Sequence, residues 1–174
     1  MATFGDTTQD TVSYQATVID RYYGSVFTSP VDIGTVTELV AYIGSGAAND
    51  TCKLTIHLHS DLSLVYASDA ISTEGAAAAR STGAISVALE PNTAYILGAV
   101  FKTASDRQYQ HAGDVNQSHV EDNSHTTPTG LTSPTHGSKS YQIYANYTPA
   151  AAGGTLPIPN PFHRPFGGSL GGCL

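Results

Sequence analysis

Tryptophan is absent from the 174 residues, and charge is scarce: Asp, Glu, Lys and Arg together make up 12% of the chain, about half the usual share. Without tryptophan, any aromatic platform must be built from the ten tyrosines and five phenylalanines. With so little charge, the polar surface must be Thr, Ser, Asn, Gln and Gly, a texture that suits an all-β extracellular or virion protein better than a cytosolic enzyme. The seven basic residues are scattered and the net charge is −7. Phosphate neutralisation needs grouped cations, so nucleic acid is not expected as a partner. The two cysteines, Cys52 and Cys173, are too few and too far apart for a metal knuckle or a disulfide framework. Cys52 reads as a small core or edge residue, and Cys173 is penultimate, where it could pair between subunits. No run approaches the ~18 apolar residues of a membrane span, so no membrane insertion is expected. The opening residues, MATFGDTTQDTVSYQ, lack the basic and apolar regions of a secretory signal. The expectation is a protein made in a host cytoplasm and carried in a virion, with an extracellular or cell-surface location as the alternative.

What the chain does have is strand pattern. In Gly83–Phe101 (GAISVALEPNTAYILGAVF), Ile85, Val87 and Leu89 alternate with small residues, the period of a half-buried strand. Glu90-Pro91-Asn92-Thr93 breaks the run, since proline donates no hydrogen bond and asparagine tolerates turn geometry. Tyr95–Phe101 is continuously apolar, as for a strand covered on both faces. These two runs predict a hairpin. Thr35–Ile43 predicts a strand with Leu39, Ala41 and Ile43 on one face and Val40 and Tyr42 on the other. In Cys52–Ser60, Leu54, Ile56 and Leu58 should point in, and Lys53, Thr55, His57 and His59 out. Tyr14–Tyr23 predicts a strand continuing past a kink at Gly24, and Leu62–Ser68 a short one. Residues 139–147 predict the last strand, with Tyr141, Ile143, Ala145 and Tyr147 on one face. Glu74–Arg80 (EGAAAAR) has the only helix propensity, enough for at most one turn.

Residues 103–138 are long and polar, with short strands expected near 108–111 and 115–121. A segment of this length is usually functional or contacts a partner, and it is expected at one end of the fold. Residues 1–13 read as an N-terminal arm and 14–148 as the folded domain. From Pro149 onward the chain holds five of its nine prolines, which excludes helix and central strand. Leu156, Ile158, Phe162, Phe166 and Leu170 nonetheless recur there. The reading is an extended Gly/Pro-rich C-terminal arm over 149–174 that places apolar side chains into grooves elsewhere. The fold class is all-β, a jelly-roll-like antiparallel β-sandwich.

Four stretches, 24–44 (GSVFTSPVDIGTVTELVAYIG), 55–72 (TIHLHSDLSLVYASDAIS), 85–101 and 140–149 (SYQIYANYTP), together resemble the jelly-roll modules of tailed-phage structural proteins and bacterial surface proteins, which are similar in fold to carbohydrate-binding modules. The resemblance covers about residues 14–149 and rests on strand patterns. The family often carries an acidic turn after its "IY" strand, where this chain has His59-Ser60-Asp61-Leu62. Many carbohydrate-binding members stack sugars on tryptophans, which are missing here.

Candidate chemistry is sparse. His57 and His59, two apart on one strand, can chelate a metal with a third ligand from His111, His119 or His125; two solvated polar residues are the simpler reading. Asp106, Asp114, Glu121 and Asp122 suit calcium in composition but match no calcium-loop motif. No G-x-S-x-G nucleophile elbow occurs, and no pair of carboxylates stands out for sugar cleavage. Catalytic, cofactor and metal residues are therefore expected to be none. Tyr22, Tyr23, Tyr42, Tyr66, Tyr109, Tyr141, Tyr144 and Tyr147 can form either a sugar-stacking platform or sheet core. The resulting expectation is a non-enzymatic virion structural protein, a phage capsid decoration or head or tail fibre component. Its partners would be copies of itself and other virion proteins, met through the arm residues Leu156, Ile158, Phe162, Phe166 and Leu170. A carbohydrate-binding adhesin for a surface glycan, and a subunit of an extracellular filament, are the alternatives.

Overall fold

A computed structural model describes residues 1–9, 13–45 and 47–151. Over these, fifteen strands, numbered in chain order, build two antiparallel sheets, and no helix is present. The first sheet runs β1 (Ala2–Gly5), β15 (Ile143–Pro149), β4 (Ile33–Ser45), β11 (Asp106–Ala112), β14 (Lys139–Tyr141). In the same sheet β2 (Tyr14–Ala16) pairs with β11, while β8 (Ala78–Ser81) and β9 (Val87–Ala88) pair with β4. The second sheet runs β13 (Thr135–Gly137), β12 (Ser118–Asp122), β3 (Arg21–Thr28), β10 (Ala94–Phe101), β5 (Thr51–Leu58), β6 (Leu64–Ala67), with β7 (Ile71–Ser72) also on β5. The chain repeatedly passes from one sheet to the other, as at β3–β4, β4–β5, β9–β10, β10–β11 and β11–β12. This connectivity is compatible with a jelly-roll-like sandwich.

The core follows from alternation. Leu39, Ala41 and Ile43 of β4 face Leu54 and Ile56 of β5, Leu97, Ala99 and Phe101 of β10, and Tyr141, Ile143, Ala145 and Tyr147 of the last strands. Val36 joins the same core although it is out of step with Leu39. A register shift between Asn146 and Tyr147 marks a bulge there, and one extra residue reverses which side chains point inward. The strand predicted over 139–147 is divided because Gln142 donates its N–H to the Tyr109 carbonyl and accepts from Tyr42 N–H, so the chain changes partner at that residue.

Several expectations are corrected. The predicted hairpin over 83–101 is not one: β9 pairs with β4 in the first sheet, and β10 lies between β3 and β5 in the second. Glu90–Thr93 is a crossing between sheets, with Asn92 at a φ of 50°, the left-handed geometry its side chain tolerates. Tyr14–Tyr23 is likewise two strands in opposite sheets, separated by a turn with Asp20 at a φ of 52°. Gly24 is not a kink but lies inside β3, opposite Gly98. The Ala-rich run forms no helical turn: Ala78–Ser81 pairs with β4, and the Arg80 guanidinium closes the preceding loop on the carbonyls of Glu74 and Ala76. Within the expected N-terminal arm, Ala2–Gly5 forms β1 along β15, and Phe4 enters the core.

Candidate functional site

The outer face of the second sheet, turned away from the first, is covered rather than solvated. Residues 103–138 do not sit at one end of the sandwich. They supply β11, β12 and β13, and the stretch after β12 folds back over the outer face of β3, β10 and β5. Leu131 packs there with Tyr22, Ile96 and Val100 as a second, smaller core. The stretch is held by Asn123, whose side-chain amide bonds both the N–H and the carbonyl of Thr129. Glu121 accepts from the N–H groups of Thr132 and Ser133 and from the Thr132 hydroxyl. Tyr22 lies flat across the paired glycines 24 and 98, where a side chain would collide with its ring.

This cover decides the histidines. His57 points outward as its alternation requires, yet it is fully buried, which corrects the expectation of a solvated residue. Its Nε2–H donates to the Thr129 carbonyl at 3.0 Å, and its ring meets Tyr22 edge-on at 5.0 Å. Burial holds its pKa below the usual histidine value. His57 is thus committed to holding the covering stretch and is not free as a ligand.

His59 instead meets His119, with ring centroids 5.4 Å apart, and His119 meets His136 at 4.5 Å. His119 and His136 are directly opposite each other on β12 and β13. His59 and His136 are exposed, whereas His119 is 1% exposed and neither of its ring nitrogens has a hydrogen-bond partner. Burial, then the neighbouring His136 and His59, lower its pKa to about 4. A surface cleft of about 330 Å³ adjoins this cluster, lined by His59, Val26 and the turn Asp114–Gln117. His119 is one of the three histidines that the sequence offers as a third ligand beside His57 and His59. His136 is not, because only the pairing of β12 with β13 brings it alongside.

His111 and His125 lie elsewhere. His125 Nε2 is 3.3 Å from the Thr51 hydroxyl. His111 Nε2 is 3.2 Å from Asp6 Oδ2, the oxygen that accepts a 2.9 Å bond from Ser140 Oγ. The carboxylate therefore stands between serine and imidazole, whereas a base-activated nucleophile needs the hydroxyl on the imidazole itself. The four acids considered for calcium are dispersed. Asp106 is buried at the start of β11, Asp114 is exposed, Glu121 binds its turn, and Asp122 pairs with Arg21 at 3.5 Å. Among the described residues no group of three or more His, Cys, Asp or Glu is placed to hold a metal ion as the side chains stand. Cys52 is fully buried in the core, as read from sequence, and burial raises its thiol pKa.

The tyrosines divide. Tyr22, Tyr23, Tyr141 and Tyr147 are core, and Tyr66 and Tyr144 are half-buried. Tyr42 and Tyr109 come together on the outer face of the first sheet, with Tyr14 against Tyr109 at 6.0 Å. The Arg107 guanidinium lies 4.6 Å over the exposed Tyr14 ring. Beside them is a cleft of about 260 Å³ lined by Gly44, Gly75, Ala76, Ala77, Ser105, Arg107 and Tyr109. A cleft lined by small residues together with an aromatic ring and a guanidinium can take a small polar ligand with an apolar face, such as a sugar ring. The arm residues Leu156, Ile158, Phe162, Phe166 and Leu170, like Cys173, lie outside the described residues. No protein-family model matches the chain, and a comparison with curated proteins finds no match.

Proposed function

We propose that this chain is a non-enzymatic structural protein of a virus particle, a phage capsid decoration or head or tail fibre component that assembles through its C-terminal arm. The observation that carries this reading is the sequence beyond β15. Prolines 157, 159, 161 and 165 alternate with Leu156, Ile158, Phe162 and Phe166, a composition with no use for so many large apolar groups unless they are buried against something. Proline pre-sets an extended chain, so less entropy is lost on docking. Each buried side chain contributes about 1.5–3 kcal/mol before costs. The scarcity of charge supports the same reading, since Ser, Thr and Asn, once hydrogen-bonded, are buried against neighbours at lower desolvation cost than charged groups.

Truncation tests it. The cut belongs after Ala151, because Pro149 ends β15 and Ala150 N–H bonds the Asp32 carbonyl. The expected product is a folded monomer by circular dichroism and light scattering that no longer joins the assembly formed by the full chain, as viewed by electron microscopy. Unchanged assembly would move the contact onto the sandwich.

A carbohydrate-binding role is the second reading, favoured by the cleft beside Arg107 and Tyr109. Glycan-array binding abolished by Tyr109→Ala in a folded protein would support it.

A further inference from the structure

We propose that His59, His119 and His136 bind one divalent transition-metal ion of the Zn²⁺, Ni²⁺ or Co²⁺ class at the edge of the cleft on the second sheet. Three chain segments far apart in sequence bring these imidazoles into ring contact, at 5.4 and 4.5 Å. With metal–nitrogen bonds of about 2.0–2.1 Å, rings sharing one tetrahedral ion lie about 5 Å apart. The backbone fixes where the three side chains start: His119 faces His136 across the β12–β13 ladder, and His59 N–H is bonded to the Ala94 carbonyl at 3.0 Å. The central ring carries the inference furthest. His119 is 1% exposed and both of its nitrogens lack a hydrogen-bond partner within the protein, although buried polar groups are ordinarily paired. A donor for an ion is one way such a ring gains a partner.

The rings pack edge-to-face and, as they stand, are not placed to hold an ion, so binding requires two of them to turn. His59 and His136 are exposed and can turn about their side-chain bonds while His119 stays fixed. Imidazole donors select borderline transition ions over calcium or magnesium. Asp114 is exposed and lines the same cleft as His59, and a site with three imidazoles keeps its fourth position open to water or a carboxylate.

The test uses the full chain and the metals themselves. Co²⁺ titration is followed by visible absorption, and Zn²⁺ and Ni²⁺ by calorimetry and thermal unfolding. The expected result is saturation at one equivalent, with a raised Tm. Affinity should fall at least tenfold in the His59→Ala/His136→Ala double variant, whose changes are at the surface and leave the fold intact. His111→Ala, on the other sheet, should retain binding. Absence of saturable binding would overturn the proposal. So would binding that the double variant leaves unchanged, since the ion would then belong to another histidine of the chain.

Discussion

Gly98→Ala is the most informative small change in the protein. Gly98 and Gly24 are opposite residues at the middle of β10 and β3, and together they make a groove in which the Tyr22 ring lies. A Cβ built on Gly98 overlaps the phenol, with Cε2 2.5 Å away, and one on Gly24 meets Cε1 at 2.8 Å. Tyr22 is fully buried between the sheet and the stretch carrying Leu131, so it cannot swing out without lifting that stretch. Overpacking of this kind costs about 1–3 kcal/mol. For a chain of this length it lowers Tm by about 2–12 °C. Alanine is otherwise preferred to glycine in a strand by about 0.5–1 kcal/mol, so a loss would have to come from the collision. Tyr22→Leu deletes the phenol and by itself costs about 1–3 kcal/mol. In the double variant the collision is gone, and the two changes should couple by about 1–3 kcal/mol. Urea unfolding of the four proteins measures this directly. If Gly98→Ala is neutral, or if the two costs simply add, Tyr22 does not occupy the groove and the covered outer face is wrongly drawn.

Other outcomes follow from the same face. His119 has a pKa of about 4 in the folded chain against ~6.5 unfolded. The unfolded chain therefore binds more protons between those values, and stability is full above pH 6.5 and declines as pH falls to 4. The loss is about 3 kcal/mol; in chelator-treated buffer, Tm against pH should show this slope, and His119→Gln should flatten it. Asn123→Ala removes both bonds to Thr129 and should cost about 1–3 kcal/mol; hydrogen exchange should rise over residues 123–131 first, and uniform change across both sheets would contradict the clasp. Deleting residues 113–136 should abolish cooperative unfolding, because the segment contains β12 and the cover over His57; a sharp unfolding transition in the deletion would show that the cover is dispensable. Cys52 should resist thiol reagents until the chain unfolds, and mapping the labelled cysteine by mass spectrometry in native buffer checks it.

The all-β class, the faces of β4, β5 and β10, and the inward set Tyr141, Ile143, Ala145 and Tyr147 were legible in the sequence. Alternation is a local property: it states which side chains share a face and requires no knowledge of the partner strand. Which strands pair is a different matter. The runs on either side of Pro91 look like a hairpin, and the turn chemistry at Asn92 is real. A sharp turn, however, is equally compatible with crossing to the facing sheet, and the competition among all strands for partners decided for the crossing. The continuous apolar run of β10 states that its outer face is covered, but what covers it escaped for the same reason. His57 alternates with Ile56 and Leu58 as an exposed residue would, and only the return of residues 123–131 over the sheet makes it a buried one. The meeting of His59, His119 and His136 likewise has no signal in spacing, because it depends on β12 lying between β3 and β13. Local pattern determined what each strand would bury. Long-range pairing alone determined what would be buried against it, because the free energy of covering a face belongs to the whole set of strands and not to any one of them.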